Sequence, residues 1–303
     1  MNLSDYEQSV ANTDMLDPND LVLPMLGLAG EVGSLVAEYK KNQRDHIGYR
    51  AFSEEVREEL GDLFWYATAL ARRCNLSLEE ILTDNVRKTR ERFLRPATPP
   101  SHPLFDDHFG DHEQLPRTLD VTFSETLVHD RGSSPVRVVH IHRGSRAIGD
   151  PLDDNSGDDD EYRYHDVFHL AHMAVLGWSP VMRSLLRVKR STDRDVDRIQ
   201  DGGRAIAVEE GVSAYVFSAA RAHSYFRSST MVPTKIIKAC QAMTAHLEVS
   251  RRSAQDWDYA ILTGYRVFRD LVDNSGGTVR VDLRARSLSY RSASVVDGAP
   301  TDT

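Results

Sequence analysis

Four prolines fall within the nine residues Arg95-Pro96-Ala97-Thr98-Pro99-Pro100-Ser101-His102-Pro103. No helix passes through such a segment: each proline lacks the N–H that the helix needs and its ring collides with the preceding turn. The residue before each proline is also driven toward extended backbone. The segment therefore divides the chain into residues 1–95, a linker over 96–117, and a second part over 118–296. The two parts differ in the period of their apolar residues, so they require different architectures.

Residues 1–95 carry only helical periodicity. One helix is expected from near residue 21 to 41, with Pro24 in its first turn, where proline is tolerated. Gly48 marks a loop. Ser53 reads as the N-cap of a second helix running to about residue 74, with Glu54 and Glu55 complementing the helix dipole. Ser77 and Glu80 have the capping-box spacing for a third helix ending near Phe93. Beyond the linker, residues 118–126 and 136–142 are rich in β-branched residues and alternate in part, so they read as strands. Residues 153–161 form an acidic loop, and helical pattern returns over 164–176, 181–188, 204–226, 232–250 and 254–272. Residues 278–290 alternate again, and a sheet joining them to the two earlier strands is expected. The fold class is thus mainly α: an all-α helical N-terminal domain followed by a C-terminal α+β domain with a small antiparallel sheet.

The chain has 303 residues, 40% hydrophobic and 27% charged, enough apolar content for two ordinary domains. Its net charge of −9 argues against an extended nucleic-acid surface. A small anion carried with its own cation is compatible with that charge. Cys74 and Cys240 fit no metal or redox spacing, which suits a reducing compartment. No signal-peptide pattern or uncharged membrane-length stretch is evident, so a cytoplasmic location and no membrane partner are expected.

Chemistry concentrates on two of the predicted helices. Glu59 and Asp62, three residues apart, project from one side of theirs. Glu31, Ser34 and Glu38 share one stripe of the helix before it. Apolar neighbours flank both sets: Leu28, Leu35 and Val36 on the first helix, Leu60, Leu63, Phe64 and Tyr66 on the second. Carboxylates facing one another across an apolar interface repel and lose solvation unless something neutralises them. A hard divalent cation does so, and Mg²⁺ favours oxygen ligands and phosphates.

At these residues the chain resembles the MazG-type all-α nucleoside triphosphate pyrophosphohydrolases. The resemblance rests on Gly27-Leu28-Ala29-Gly30-Glu31-Val32-Gly33-Ser34, on Glu58-Glu59-Leu60-Gly61-Asp62-Leu63-Phe64-Trp65-Tyr66, and on Asn85-Val86-Arg87-Lys88-Thr89-Arg90-Glu91-Arg92-Phe93. It implies a MazG-like helical domain that splits a nucleoside triphosphate (NTP or dNTP) into monophosphate and pyrophosphate with Mg²⁺, Mn²⁺ being the alternative ion. Carried over, the metal ligands are Glu31, Glu59 and Asp62. The family's second Glu of the first pair is here Ser34, and Glu38, one turn along the same face, stands as its substitute. Glu38 or Glu59 would accept the proton of the attacking water. Asn85, Lys88 and Arg92 would contact phosphates, and Trp65 could stack on a base. Three short amphipathic helices are a thin shell for such a site, so a homo-oligomer (dimer or tetramer) follows. The second part, around residues 165–180 and 201–217, resembles a C-terminal domain attached to some MazG-type proteins.

Other patterns are weaker. Gly27, Gly30 and Gly33 echo a dinucleotide fingerprint, but no strand precedes them and their helical spacing suits close helix packing. Asp193-Arg194-Asp195-Val196-Asp197 opens like a calcium loop, but Arg198 and Arg204 occupy the turn-glycine and bidentate-carboxylate positions. His165, His169 and His172 share a helical face, and Glu209 and Glu210 lie on a later helix. Histidines one turn apart with a carboxylate from elsewhere can bind a transition metal. Two rival readings follow: a nucleotide-sensing module with weak turnover, or a metal-dependent enzyme using the histidine cluster.

Overall fold

The computed structural model describes residues 1–93 (side chains through residue 90), 102–129, 135–157 and 159–292. The chain divides into two compact units, Met1–Phe93 and Leu94–Thr303.

A capping box nucleates the first helix of the first unit. Asp5 N donates to Asn2 Oδ1 at 2.8 Å and Asn2 N donates to the Asp5 carboxylate at 3.3 Å, opening α1 (Leu3–Thr13). Its short, mostly polar sequence lacks the long apolar stripe that marks the later helices. α2 (Val22–Asp45) runs one turn beyond the expected end, because no breaker occurs until Gly48. α3 spans Phe52–Arg73 and α4 spans Leu78–Phe93. The expected N-cap at Ser53 is displaced: Ala51 caps α3 with its backbone carbonyl, which accepts from Glu54 N and Glu55 N at 2.9 and 3.0 Å. Ser77 does cap α4, its Oγ accepting from Glu80 N at 3.3 Å.

α2 and α3 pack as an antiparallel hairpin, and Gly27 sets their closest approach. A Cβ at Gly27 would run into the Tyr66 ring, whereas Gly30 and Gly33 face open space. Close packing thus accounts for one glycine of the three. α1 is tied to α3 by Trp65 Nε1, which donates to Thr13 Oγ1 at 2.9 Å, and by the Arg73–Asp14 ion pair. Few side chains of this unit are buried, Val10, Ala69, Ala71 and Leu78 among them. Leu26, Val32, Val36 and Phe64 are each at least half exposed.

The second unit is built on a five-stranded antiparallel sheet of order β3-β2-β1-β4-β5. β1 (Thr118–Val128) is central, pairing with β2 (Val136–Arg143) and with β4 (Gly276–Asp282). β3 (Arg146–Ala147) and β5 (Ser287–Arg291) form the edges. Alternation along β1, β2 and β4 sends Leu119, Val121, Phe123, Val139, Ile141, Val279 and Val281 into one core. α5 (Asp166–Ala171) continues directly into a π turn, His172–Leu176. Then follow α6 (Pro180–Leu186), α7 (Arg194–Ile199), α8 (Gly203–Arg221), α9 (Thr234–Met243) and α10 (Ala254–Asp273). α8 and α9 are shorter than the expected 204–226 and 232–250. Ser224, Tyr225 and Phe226 take positive φ just past α8, ending any continuous helix there.

Residues 102–117, expected as linker, belong to the second unit and pack on its core. Asp106 is buried and accepts from Arg183 and Arg117 at 2.7 Å each, and Leu115 beside it joins the core. The aspartates of the rejected calcium pattern have a structural task. Asp193 caps α7, accepting from Asp195 N and Val196 N at 3.0 and 3.1 Å. The acidic loop is held by Arg163, which is 1% exposed. Arg163 donates to Glu125 on β1 at 2.9 Å, to Asp154 and Asp159 at 2.7 Å each, and to Glu161. Arg163→Met should therefore destabilise the second unit by about 3–5 kcal/mol, since it strands carboxylates beside a buried surface. Urea unfolding followed by circular dichroism measures this, and a loss below about 1 kcal/mol would show the carboxylates to be well solvated without Arg163.

Candidate functional sites

The hairpin of the first unit brings its two acidic stripes face to face. Glu31 on α2 and Glu59 on α3 lie close enough for their carboxyls to act on each other. Partial desolvation pushes the Glu59 carboxyl up, and the contact with Glu31 and the charges of Asp62 and Glu38 push it further. Asp62 also acts on α1, adding to the desolvation that raises the Tyr6 hydroxyl.

Glu38 has a different environment. It is buried, accepts from Lys41 Nζ at 2.5 Å, and accepts from the Tyr49 hydroxyl. Lys41 and Tyr49 hold its carboxyl below the usual range. Lys41 is therefore engaged with the acidic stripe, where the charges of Glu55 and Glu59 add to that of Glu38. Glu55, one turn before Glu59, belongs to the same stripe and was not singled out from the sequence; its i−4 spacing from Glu59 is the signal that identifies it. Among the described residues, no three of these carboxylates have ligand atoms within 4.8 Å of one another. Asn85 and Lys88 are exposed on α4, and the side chain of Arg92 lies outside the described residues. Trp65 is committed to Thr13 and to an edge contact with Tyr66 at 5.0 Å.

The second unit concentrates its titratable groups where α5 and the π turn face α8. π turns inside helices recur at functional sites, and this one begins at His172. Glu209 is completely buried and fully bonded. Its Oε1 accepts from His169 Nδ1 at 3.0 Å, His172 Nδ1 at 3.2 Å and Ser179 Oγ at 2.8 Å. Its Oε2 accepts from Val181 N at 2.9 Å. Burial alone would raise this carboxyl, but the two histidines outweigh it and hold Glu209 down at about 2. His169 is equally buried. Desolvation presses its imidazole down, yet Glu209, Glu210 and Asp166 together hold it well above its ordinary value. His165 responds in the opposite way, lowered first by burial. Its ring stacks on Tyr162 at 4.4 Å, while His172 sits between Trp178 and Trp257.

A chain with an acidic helical hairpin joined to a mixed α+β unit has counterparts among nucleotide-hydrolysing proteins. The MazG nucleotide pyrophosphohydrolase domain model matches residues 23–93, and the MazG C-terminal domain model matches residues 100–294. The chain belongs to the MazG family, whose pyrophosphohydrolases are generally dependent on a divalent metal. It is also similar to the gene 37 protein of Mycobacterium phage L5, at 32% identity over 69 residues. That match covers 22% of this chain and 60% of the phage protein. No solved structure matches the chain significantly. Among the described residues, no helix is long and apolar enough to cross a membrane.

The stabilising contribution of Glu209 has a definite pH window. Because its folded-state pKa lies below its ordinary 4.5, the contribution is present above that pH and fades as the pH falls toward about 2. Glu209→Gln should destabilise the protein at neutral pH, and the gap from wild type should narrow on acidification through that window. Paired urea titrations at several pH values measure it; a gap independent of pH would show that ionised Glu209 is not what the histidines and Ser179 hold.

Proposed function

We propose that the first unit hydrolyses a nucleoside triphosphate to the monophosphate and pyrophosphate with Mg²⁺. The observation that carries the reading is the Glu31–Glu59 contact, reinforced by Asp62. Like charges brought together with part of their hydration removed raise the Glu59 carboxyl, and a cation between the stripes would relieve that repulsion. The donor set is all oxygen, which suits Mg²⁺ or Mn²⁺. Glu31, Glu59 and Asp62 would hold the ion. Glu38, now bound by Lys41 and Tyr49, would be the further ligand, in the place left by Ser34.

The ion would neutralise charge on the phosphoryl oxygens and acidify a nearby water. The chain's own residues do the rest. Glu59, whose carboxyl is already pushed up, accepts the proton as the water oxygen bonds to the α-phosphorus. The bond from that phosphorus to the α,β-bridging oxygen then breaks, and pyrophosphate leaves. Asn85 and Lys88, with Arg92, supply the hydrogen-bond donors and positive charge for the phosphates. With a panel of NTPs and dNTPs plus Mg²⁺, equimolar monophosphate and pyrophosphate is the expected product pair; orthophosphate with a diphosphate would overturn the reading. Glu59→Gln should lower turnover at least a hundredfold, about 3 kcal/mol at the barrier, with the helical circular dichroism unchanged.

The same reading requires a second copy of the chain. The exposed Leu26, Val32 and Val36 of α2 and Phe64 of α3 form apolar surface that the first unit leaves uncovered. A dimer or tetramer would bury it and enclose the acidic stripes. Sedimentation velocity should show an assembly that Val36→Asp with Phe64→Asp converts to monomer. A wild-type protein that stays monomeric at tens of micromolar, a range in which weak interfaces assemble, would exclude this arrangement.

A further inference from the structure

The histidines of the second unit lie in two groupings, and they are not equivalent. In the first, His169 Nδ1 and His172 Nδ1 face Glu209 Oε1 at 3.0 and 3.2 Å. Those contacts are hydrogen bonds. Both Glu209 oxygens are already occupied by Ser179 and Val181 N as well, leaving no free lone pair directed at an ion. Glu209 therefore serves as the carboxylate that orients histidines, the role outer partners have around metal-ligating imidazoles.

The second grouping lies on the opposite nitrogens. His169 Nδ1 is engaged by Glu209, which leaves Nε2 as the free position; this atom is buried and has no hydrogen-bond partner. His165 Nδ1 is likewise engaged, by the Tyr162 carbonyl at 2.9 Å, so its Nε2 is also the free position. The two ring atoms converge on Asp166: His165 Nε2 is 3.5 Å and His169 Nε2 4.0 Å from Asp166 Oδ1. His165, Asp166 and His169 each bring one ligand atom within 4.8 Å of the other two. Glu210 on α8 stands on the His169 side, its Oε2 3.3 Å from His169 Nε2. Donors bound to one tetrahedral ion at about 2.0–2.1 Å sit about 3.3 Å apart along the edges of the tetrahedron. The His165, Asp166 and His169 atoms approach that spacing, and Glu210 would swing in to complete the shell.

Charge points the same way. Three carboxylates face the buried His169 ring: Asp166 Oδ1 at 4.0 Å, Glu209 Oε1 at 3.0 Å and Glu210 Oε2 at 3.3 Å from its nitrogens. A bound cation would balance that negative charge, and the imidazoles would bind it in their deprotonated form. Two imidazoles and two carboxylates suit a borderline transition ion better than Mg²⁺, which prefers oxygen ligands and several waters. Access is available through Glu210, whose side chain is 42% exposed.

We propose that His165, Asp166, His169 and Glu210 form a binding site for one divalent transition-metal ion of the zinc class, with Glu209 and the Tyr162 carbonyl holding the two imidazoles in their metal-ready tautomers. The site lies wholly within the second unit and does not depend on the acidic hairpin. In this arrangement Glu209 would serve as the orienting carboxylate, and His172, which with His169 and Glu209 forms a second grouping of potential ligands, would lie outside the ion's shell.

The test uses the full-length protein, stripped with a chelator and titrated with Co²⁺ and then Zn²⁺. Wild type should take up about one Co²⁺ per chain with the visible absorption of tetrahedral cobalt, be displaced by Zn²⁺, and keep the signal in excess Mg²⁺. Glu31→Gln with Glu59→Gln should leave this signal intact. His165→Ala should abolish it. Glu210→Gln, a change at a partly exposed position that preserves side-chain volume, should weaken Co²⁺ affinity at least tenfold at unchanged melting temperature. Glu209→Gln, as an orienting residue, should weaken affinity about 10–100-fold without changing the ligand-field spectrum of the saturated site. Absence of uptake by wild type would overturn the proposal. So would full uptake in folded His165→Ala and Glu210→Gln variants, or loss of uptake on changing Glu31 and Glu59.

Discussion

Glu209 has no exposed surface, and its carboxylate accepts hydrogen bonds from two imidazoles, the Ser179 hydroxyl and the backbone N–H of Val181. A buried carboxylate is tolerable only when its lone pairs are met in this way. Meeting them links α8, which carries Glu209, to α5, the π turn and the start of α6. Ser179 does two jobs at once, since its Oγ also caps α6 by accepting from Met182 N at 3.0 Å. Glu209 fixes the rings of His169 and His172, while the Tyr162 carbonyl fixes that of His165. Once their Nδ1 atoms are committed, the Nε2 atoms of His165 and His169 have a single direction left to face.

The rest of the second unit repeats the device with arginine. Arg163 gathers the acidic loop onto β1, Arg183 binds Asp106, and Arg190 binds Asp201 and Glu248. Bidentate guanidinium geometry suits such buried pairing. The Arg163–Glu125, Arg183–Asp106 and Arg190–Glu248 pairs join segments 38, 77 and 58 residues apart, so these charges fix topology around a core that apolar area alone would leave less specific. The first unit has the opposite character. Glu59 is pushed up by Glu31, Asp62 and Glu38, while Lys41 binds Glu38 and feels the charge of Glu59 only at longer range. Carboxylates arranged to repel are a cost to folding, which is the physical ground for the metal-binding role proposed for them.

Helical periodicity made α2, α3 and α4 legible, because each is long and each carries an apolar stripe. α1 was missed because it is held by a capping box and by contacts to Trp65 and Arg72, not by a stripe of its own. β1, β2 and β4 were legible from alternation, while the two-residue β3 is too short to show any period. The end of α8 was misplaced because three residues with left-handed backbone follow it, and none of them is glycine. Close helix packing was expected at all three glycines, and it holds at Gly27, against Tyr66, while Gly30 and Gly33 face open space, since spacing does not tell which face a partner helix covers.

By itself the sequence determined the division at the proline segment, the mainly helical composition, and the pairing of acidic stripes on successive helices, because these depend on local backbone sterics and on side-chain period. It also placed His165, His169 and His172 on one helical face. Only the tertiary structure decided which partners each of those groups has. Whether Glu209 binds an ion or orients a histidine depends on which lone pairs Ser179 and Val181 occupy. Whether Glu38 is free depends on Tyr49, eleven residues away along the chain. Donor direction and burial are properties of folded neighbours, and no one-dimensional pattern carries them.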